Sequence, residues 1–287
     1  NFVCYADRLD EKSPGVYEVK GLSEDAEKRC YIEGNALNSQ ATKEDVIKYE
    51  AFSPVVLDLQ TFRDELTWMW SDYIEEEAKS ISSSSVKLFT LSALVQSYSY
   101  SLVGHNKPIQ KVSDEMFTDV ENHRHFVYEF WRKITSLFEE SVWIPDEHQE
   151  THERYEYLVQ ERQHYRNVLF QAVFLQALGK FCYNLGEKTG WDPASPLLKK
   201  LDNLHPDLVD YRAVKSGHTD ENGKFVVDEW NQEWLNAMMK QSIDKNTGVV
   251  KGYSFNNATE NIAATQRLVA KKAGLLEEVD LNLDSAA

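Results

Sequence analysis

The chain has 287 residues, of which 42% are hydrophobic and 12% aromatic, and its formal net charge is −16 at pH 7. This length accommodates one large domain or two smaller ones with a substantial core, and the composition excludes a largely disordered chain. The negative charge repels nucleic acid at long range, and no Lys/Arg run exceeds two residues, so charge pattern alone indicates no nucleic-acid face. The three scattered cysteines form no metal or disulfide spacing, which favours the reducing cytoplasm.

The first fifty residues are typical of the remnant of a small α/β lobe. Residues 16–19 alternate apolar with polar side chains between Pro14-Gly15 and Gly21, as a short strand does, and a helix start follows at Ser23. The chain does not begin with Met, and we expect an N-terminal piece to be missing. The predicted domains are therefore residues 1–50, a lobe remnant, and residues 51–287, a helical domain.

From residue 53 onward the pattern predicts one helix after another. Ser53-Pro54 combines an N-cap with proline at the first helical position, and the periodicity continues to Tyr73. A second helix presents an apolar face from Leu88 to Leu102 and ends at Gly104. A third begins at Ser113 and continues to residue 138. The fold class predicted is mainly α.

The centre of this domain is predicted to be a long helix from about Glu150 to Glu187. Its part from Asn167 to Gly179 carries no charge, and its apolar residues fall on every side of a helical wheel. A helix hydrophobic all round is enclosed by other helices or spans a membrane. This run is shorter than the roughly 18–20 apolar residues a span needs, and Gln171 and Gln176 interrupt it. We predict a buried central helix and no membrane segment.

The remainder of the chain is predicted to mix short helices with turns. Ser195-Pro196 starts a short helix that His205-Pro206 ends. Residues 221–224 form a turn before a short strand at 225–227, and Asp228 then starts a helix that continues to Met238. Residues 249–255 are loop or strand. The last helix covers residues 259–273, with Gly274 at its C-terminal end.

No catalytic motif stands out. There is no glycine-rich phosphate loop, nucleophile elbow or CxxC pair. Glu161 and His164 have the i, i+3 spacing of carboxylate-bridged di-metal sites, but only one such pair is clean, and a solvated charged helix is the simpler interpretation. His123 and His125 lie among charged residues, as on a helix surface. We predict no catalytic residue, no metal ligand and no cofactor.

Residues 85–94, SVKLFTLSAL, resemble the KLFTLSAL-type signature of DndB, a family of DNA sulfur-modification proteins within a wider set named for a DGQHR motif. Phe130-Trp131, Arg166 with LQALG at 175–179, and Asp210-Tyr211-Arg212 resemble further family segments in the same order. The family usually has Asp-Trp-x-Arg at the last of these. The resemblance extends from about Val16 to Leu276. The DGQHR motif itself is absent and would precede Asn1.

The resemblance implies a DNA-binding repressor of phosphorothioate-modification genes, in which this chain supplies mostly the helical scaffold. The implied partners are promoter double-stranded DNA and other DNA-modification proteins; we also expect a homo-oligomer. Phosphate contacts need only a few Lys or Arg on one side of a protein. The candidate DNA-binding residues, on or near the helices that carry the resemblance, are Lys87, Arg124, Arg132, Lys133, Arg162 and Arg166.

Two other hypotheses remain open at this point. The chain is an interaction or oligomerisation module that makes no direct DNA contact, which suits its acidity and its abundant Trp and Tyr. Alternatively, it is a metal-dependent enzyme with a site around Glu161 and His164, or with an activity centred in the missing lobe.

Overall fold

The computed structural model describes most of the chain after residue 72 and a few short stretches before it. The described residues are 3–5, 16–18, 59, 62, 73–78, 80–82, 85–104, 114–138 and 151–279. Their α-helices, in chain order, are α1 (Leu91–Val103), α2 (Asp114–Phe138), α3 (Thr151–Val159), α4 (Ala172–Thr189), α5 (Gln232–Met238), α6 (Thr259–Lys272) and α7 (Leu276–Val279). Their strands are β1 (Val3–Tyr5), β2 (Val16–Glu18), β3 (Ile74–Glu75), β4 (Phe89–Thr90), β5 (Val214–Thr219), β6 (Phe225–Trp230), β7 (Met239–Ile243) and β8 (Val250–Phe255). These strands pair two by two into small sheets, so the fold is mainly α, as predicted.

The signature segment 85–94 forms the turn from β4 into α1. Thr90 is the N-cap of α1, and its hydroxyl accepts a hydrogen bond from the Ala93 backbone N–H at 3.2 Å. Gly104 ends the helix at φ 73°, a left-handed conformation that glycine adopts without steric cost. The predicted second helix and its glycine stop are confirmed. α2, which begins at Asp114, likewise confirms the predicted third helix.

Helix α4 is the buried centre of the domain. Val173, Leu175 and Leu178 have no exposed surface, and α1 lies directly against this helix. The Ser97 hydroxyl on α1 donates to the Leu175 carbonyl at 2.6 Å. Gly179 permits this close approach, since a Cβ added there would lie 2.1 Å from the Ser97 carbonyl oxygen. The predicted central helix is confirmed for this part of the chain.

The prediction of one continuous helix over residues 150–187 is wrong. α3 ends at Val159, and a π-helical turn follows at Gln160–His164. Arg166 then takes a left-handed φ of 47°, and a short 3₁₀ turn, Val168–Phe170, leads into α4. The cause is partly a tertiary contact, because the Val168 N–H donates to the Tyr211 carbonyl at 2.9 Å and so leaves the helical ladder. The break separates the polar α3 from the buried α4.

The C-terminal third differs from the prediction at one helix boundary. The short helix after Ser195 is present as a 3₁₀ helix, Pro196–Leu204. Asp228, predicted to start a helix, lies instead in β6, because residues 225–230 pair with β5. α5 starts at Gln232, where the Asn231 side chain accepts from the Glu233 N–H at 3.2 Å. The predicted loop or strand at 249–255 is β8, and the predicted last helix is α6 followed by Gly274.

Several predictions fall outside the described residues. These are the helix after Ser23, most of the helix from Ser53 to Tyr73, and the break at residues 143–145. Leu59 and Phe62 are described and are buried in the same core. The short strand predicted at residues 16–19 is β2, paired antiparallel with β1. Among the helices that the structure describes, none is long and apolar enough to cross a membrane.

Candidate functional site

A cavity of about 740 Å³ opens where the N-terminal ends of α1 and α4 come together. Two arginines, Arg162 and Arg166, form part of its wall, and we call it the arginine cavity. Its other walls come from the signature segment, the first turn of α4 and the chain after β8. None of the described residues lining it is an aspartate or a glutamate. The charged side chains among these described residues are therefore both cationic, in a chain of net charge −16.

Both arginines are held in place by backbone carbonyls. Arg162 donates to the Ser85 carbonyl at 2.7 Å and to the Lys87 carbonyl, and its guanidinium lies 5.3 Å from the centre of the Phe170 ring. Arg166 donates to the Tyr253 carbonyl at 2.6 Å. Its guanidinium carbon lies 5.4 Å from the Trp230 ring centre. These contacts fix the guanidiniums without neutralising their charge.

The positive charge at this wall is therefore uncompensated within the described structure. Among the described residues, neither Arg162 nor Arg166 forms an ion pair with a carboxylate. Burial, together with the nearby charge of Arg154, lowers the pKa of Arg162 to about 10. Burial also lowers the pKa of Arg166. Because a desolvated cation without a counter-charge is costly, an anion in the cavity would stabilise both side chains.

An irregular backbone segment places these two arginines. The π-helical turn contains Arg162, and Arg166 follows it in the left-handed region at φ 47°. Single π-helical turns and non-glycine residues at positive φ both cost free energy and concentrate at functional sites. Both arginines of this irregular segment lie in the wall of the same cavity.

An ion pair between the buried Glu161 and the half-exposed Arg212 holds this distorted segment. The Glu161 carboxylate, 3% exposed, accepts from Arg212 at 2.5 and 3.1 Å and from the Asn167 amide at 2.8 Å. The same pair raises the pKa of Arg212, chiefly through its hydrogen bond to Glu161. Burial first, and the Glu161 charge second, raise the pKa of Tyr157 to about 12. Arg212 belongs to the Asp-Tyr-Arg segment that carries part of the family resemblance, so this segment has a clear structural role.

The other polar groups of the arginine cavity are mainly carboxamides. Gln96, Gln163, Gln171 and Gln176 line it, with Asn257 at the exposed end. The Gln176 amide donates to the Gln96 carbonyl oxygen at 2.8 Å. Gln171 is the N-cap of α4 but makes no side-chain capping bond there. No acidic residue lies in the first turn of either α1 or α4, so both positive helix ends add to the potential of the cavity.

The structure divides the six predicted DNA-binding residues into two groups. Arg162 and Arg166 share the arginine cavity, and Lys87 is adjacent through its carbonyl. The other three lie on α2 and do not line that cavity. There Arg132 pairs with Glu129 at 2.6 Å, and Lys133 pairs with Asp202. Arg124 lies 5.8 Å from the Tyr128 ring centre.

Glu161 and His164, the one clean metal-ligand pair in the sequence, face different surroundings. The Glu161 carboxylate accepts hydrogen bonds from Arg212 and Asn167. The His164 ring instead stacks on Phe225, with ring centroids 4.5 Å apart. Among the described residues, no group of three His, Cys, Asp or Glu side chains is placed to hold a metal. A second cavity, of about 450 Å³, lies on the Arg212 side of this pair.

The β7–β8 hairpin, residues 239–255, adjoins the arginine cavity. Its base is tied to the cavity by the bond from Arg166 to the Tyr253 carbonyl, and Phe255 lines the cavity. The hairpin carries three lysines against one aspartate, and all three lysines are exposed. Its far end exposes Ile243, Val249 and Val250, at 53%, 63% and 40%.

Sequence reasoning missed the hairpin and the carboxamides of the cavity. The signal for the carboxamides was present, since Gln171 and Gln176 interrupt an otherwise apolar run in a buried helix. A buried glutamine needs a partner, and that partner is supplied by Gln96 on α1 or by a ligand. The sequence signal for the hairpin was weak, because the residues of β7 do not alternate between apolar and polar side chains.

A family model described as "DndB: DNA-sulfur modification-associated" matches residues 35–274, which is most of the chain. No curated protein and no solved structure matches the sequence. The matched span includes the signature segment, the distorted segment 160–171 and the Asp-Tyr-Arg segment. It therefore contains every described residue that lines the arginine cavity, together with Glu161 and Arg212.

Proposed function

Since the chain belongs to the DndB family of DNA-sulfur-modification-associated proteins, we propose that it is a DNA-binding regulator of phosphorothioate-modification genes. The family match carries this proposal, because it assigns the chain to a DNA sulfur-modification system. Promoter binding is a more specific claim than the family match supports by itself. It requires a surface that binds DNA phosphates despite the net charge of −16.

The β7–β8 hairpin has the chemistry for such a surface. Lys240, Lys245 and Lys251 extend along it, and the Asp244 carboxylate is already engaged by Lys251 at 2.8 Å. Two-stranded ribbons of this kind fit a DNA groove, where lysines contact the phosphates on either side. The neighbouring β5–β6 hairpin has the opposite balance, with two lysines against four carboxylates. The contrast favours β7–β8 as the DNA-contacting ribbon.

The exposed aliphatic end of this hairpin supports the same role. Ile243, Val249 and Val250 together form an exposed apolar tip in the described structure. Proteins that bend DNA insert aliphatic side chains of this size between base steps, flanked by Lys or Arg on the phosphates. The same tip also suits a protein partner, which is the interaction-module alternative.

The proposal is tested by fluorescence anisotropy with a duplex carrying the promoter of the chain's own modification operon. Wild type is compared with the double variant Lys245→Gln/Lys251→Gln across a range of salt concentrations. Two lost phosphate contacts should lower the slope of log K against log salt by about 2, since each contact contributes roughly 0.9.

The matched control is Lys215→Gln/Lys224→Gln on the acidic hairpin β5–β6. Each double variant removes two exposed lysines, one of which is ion-paired in the wild type. Equal losses in the two variants would contradict a specific role for β7–β8. If the wild-type chain leaves the promoter unbound but gains mass with concentration in light scattering, the interaction module replaces the regulator.

A further inference from the structure

We propose that the chain forms a two-fold dimer in which the basic β7–β8 hairpin of each copy docks on the acidic β5–β6 hairpin of the other. The partner is therefore a second copy of this chain. This inference goes beyond the proposed promoter binding and does not rest on it. Because the contact would cover lysines proposed to bind DNA, the dimer and the DNA-bound form exclude each other at this hairpin.

The charges of the two hairpins are complementary. The β7–β8 hairpin carries three lysines against one aspartate, whereas β5–β6 carries two lysines against four carboxylates. Their ion pairs lie within each hairpin, with Lys215 on Glu229 at 3.4 Å and Lys251 on Asp244 at 2.8 Å. Among the described residues, no ion pair joins one hairpin to the other. Each hairpin therefore presents an unbalanced charge, and the two charges have opposite signs, as in complementary protein interfaces.

Exposed aliphatic side chains accompany these charges on both hairpins. Val226 of β6 is 37% exposed, and the tip of β7–β8 exposes Ile243, Val249 and Val250. The described residues include six exposed large apolar side chains, and these are four of them. Single exposed apolar residues are ordinary, but a concentration of them rimmed by charged residues is typical of a protein contact site. Burial of these side chains against one another would add a hydrophobic contribution to the electrostatic one.

Both hairpins also have strand edges available for pairing. Each forms a sheet of two strands in the part of the chain that the structure describes, so every strand is paired on one side. The other edge of such a strand presents N–H and C=O groups that can pair with another chain. A hairpin of two strands is marginally stable by itself, whereas sheets of three or more strands are more stable. A hairpin of the second copy would supply that support.

The two hairpins of one chain meet at their bases but form separate sheets. The rings of Trp230 and Tyr253 lie 5.0 Å apart there, and Arg166 contacts both residues. This junction holds both hairpins at one place on the molecule, so a second copy can engage both at once. A two-fold axis makes the same contact twice, with each basic hairpin on an acidic one. The assembly closes at two copies, because both hairpins of each copy are then used.

Sedimentation velocity of the full chain, without DNA, measures the association. At about 50 mM salt and up to about 100 µM protein, the 33.2 kDa monomer should convert into a species of twice that mass. At about 500 mM salt the dissociation constant should rise at least about tenfold, because salt screens exposed charges. A chain that stays monomeric at every concentration at low salt would overturn the proposal.

Charge reversal identifies the hairpins in contact. Lys240→Glu/Lys245→Glu makes both hairpins acidic, and Glu221→Lys/Glu229→Lys makes both basic. Each variant alone should remain monomeric where the wild type is dimeric, because like charges now face each other. An equimolar mixture should form a heterodimer, since every acidic hairpin again faces a basic one. A mixture that stays monomeric while the wild type dimerises would place the contact elsewhere and overturn the assignment.

The matched control is Lys188→Glu/Lys199→Glu, which makes the same change in net charge at two exposed lysines outside both hairpins. Its dissociation constant should stay within about threefold of the wild-type value. Equal losses of association in this control and in Lys240→Glu/Lys245→Glu would overturn a specific role for the hairpins. Circular dichroism checks that each variant is folded.

The aliphatic tip is tested by Ile243→Ser/Val249→Ser, which should weaken dimerisation by about tenfold or more. Leu208→Ser, at a side chain 69% exposed outside both hairpins, should leave the dissociation constant within about twofold. Equal effects of these two variants would overturn the role of the tip. Promoter anisotropy separates the two proposals: a monomer that binds the promoter would contradict only the dimer, and a dimer that never binds the promoter would contradict only the regulator.

Discussion

The contact between α1 and α4 makes Gly179→Ala a severe test of the packing. The added methyl would lie 2.1 Å from the Ser97 carbonyl oxygen and 3.1 Å from its hydroxyl oxygen. Ordinary contacts of this kind need at least about 3.4 Å, so the two helices must separate by about 1 Å. The obstructing atom is backbone within a helix, so it has no alternative rotamer.

The expected cost follows from three terms. Overpacking of a well-packed core costs about 1–3 kcal/mol. Separation of the helices also strains the buried bond from the Ser97 hydroxyl to the Leu175 carbonyl, worth ~1 kcal/mol or more. The higher helix propensity of alanine offsets about 1 kcal/mol. The free energy of unfolding should therefore fall by about 1–3 kcal/mol.

Urea unfolding followed by tryptophan fluorescence measures this change. With an m-value of about 3 kcal/mol/M, the urea midpoint should move down by roughly 0.3–1 M. Gly252→Ala is the matched control, since it has no neighbour within 4 Å of the added Cβ. If Gly179→Ala unfolds at the wild-type urea concentration, α1 and α4 do not approach as closely as described, and the packing argument fails.

Three further predictions concern the ion pair, the pH dependence and the buried thiol. Arg212→Leu should lower the free energy of unfolding by about 2 kcal/mol in the same urea assay. This cost is smaller than that of breaking a fully buried ion pair, because Arg212 is 47% exposed. Adding Glu161→Gln to this variant should restore part of the loss, because it removes the unpaired carboxylate. The free energy of unfolding should fall as the pH rises from 10 towards 12, because burial raises the pKa of Tyr157 to about 12 and its phenol ionises first in the unfolded chain. Tyr157→Phe should reduce this fall in the same urea assay, and an unchanged pH dependence would contradict the assignment. Cys182 is buried, and burial raises the pKa of its thiol. In a Cys4→Ser/Cys30→Ser variant, iodoacetamide should therefore label the protein only after unfolding. Rapid labelling of the folded variant would contradict the burial of Cys182.

The helices with local signals could be predicted from the sequence. α1, α2 and α6 each combine an apolar periodicity with recognisable ends, such as Gly104 and Gly274. These signals lie within a few residues of the helix they define, so no tertiary knowledge is needed. The burial of α4 was predictable for the same reason, from its uncharged stretch.

The break before α4 could not be predicted, because its causes are distant in sequence. The segment 160–171 is held by bonds to Tyr211 and Arg212, about fifty residues later. Helix propensity at these positions is ordinary, so the tertiary contacts decide the conformation. β6 is similar: residues 228–230 are strand because β5 pairs with them.

Only some residues of the arginine cavity could be predicted from the sequence. The sequence predicts Arg162 and Arg166 as DNA-binding residues on a surface, whereas the structure places them in the wall of a cavity. The cavity joins three segments, near residues 80–96, 162–176 and 255–257, whose spacing reveals nothing of their contact. Arg162 and Arg166 are four residues apart, a spacing that also places two side chains on one face of a regular helix. The spacing therefore does not reveal the π-helical turn or the left-handed Arg166.

The most direct test of the central claim is the salt dependence of promoter affinity, measured by fluorescence anisotropy with the wild-type chain and the Lys245→Gln/Lys251→Gln variant. The account predicts that log K for the wild type falls with log salt and that the variant lowers this slope by about 2. Absence of promoter binding at low salt, or the same slope in both proteins, would contradict the account.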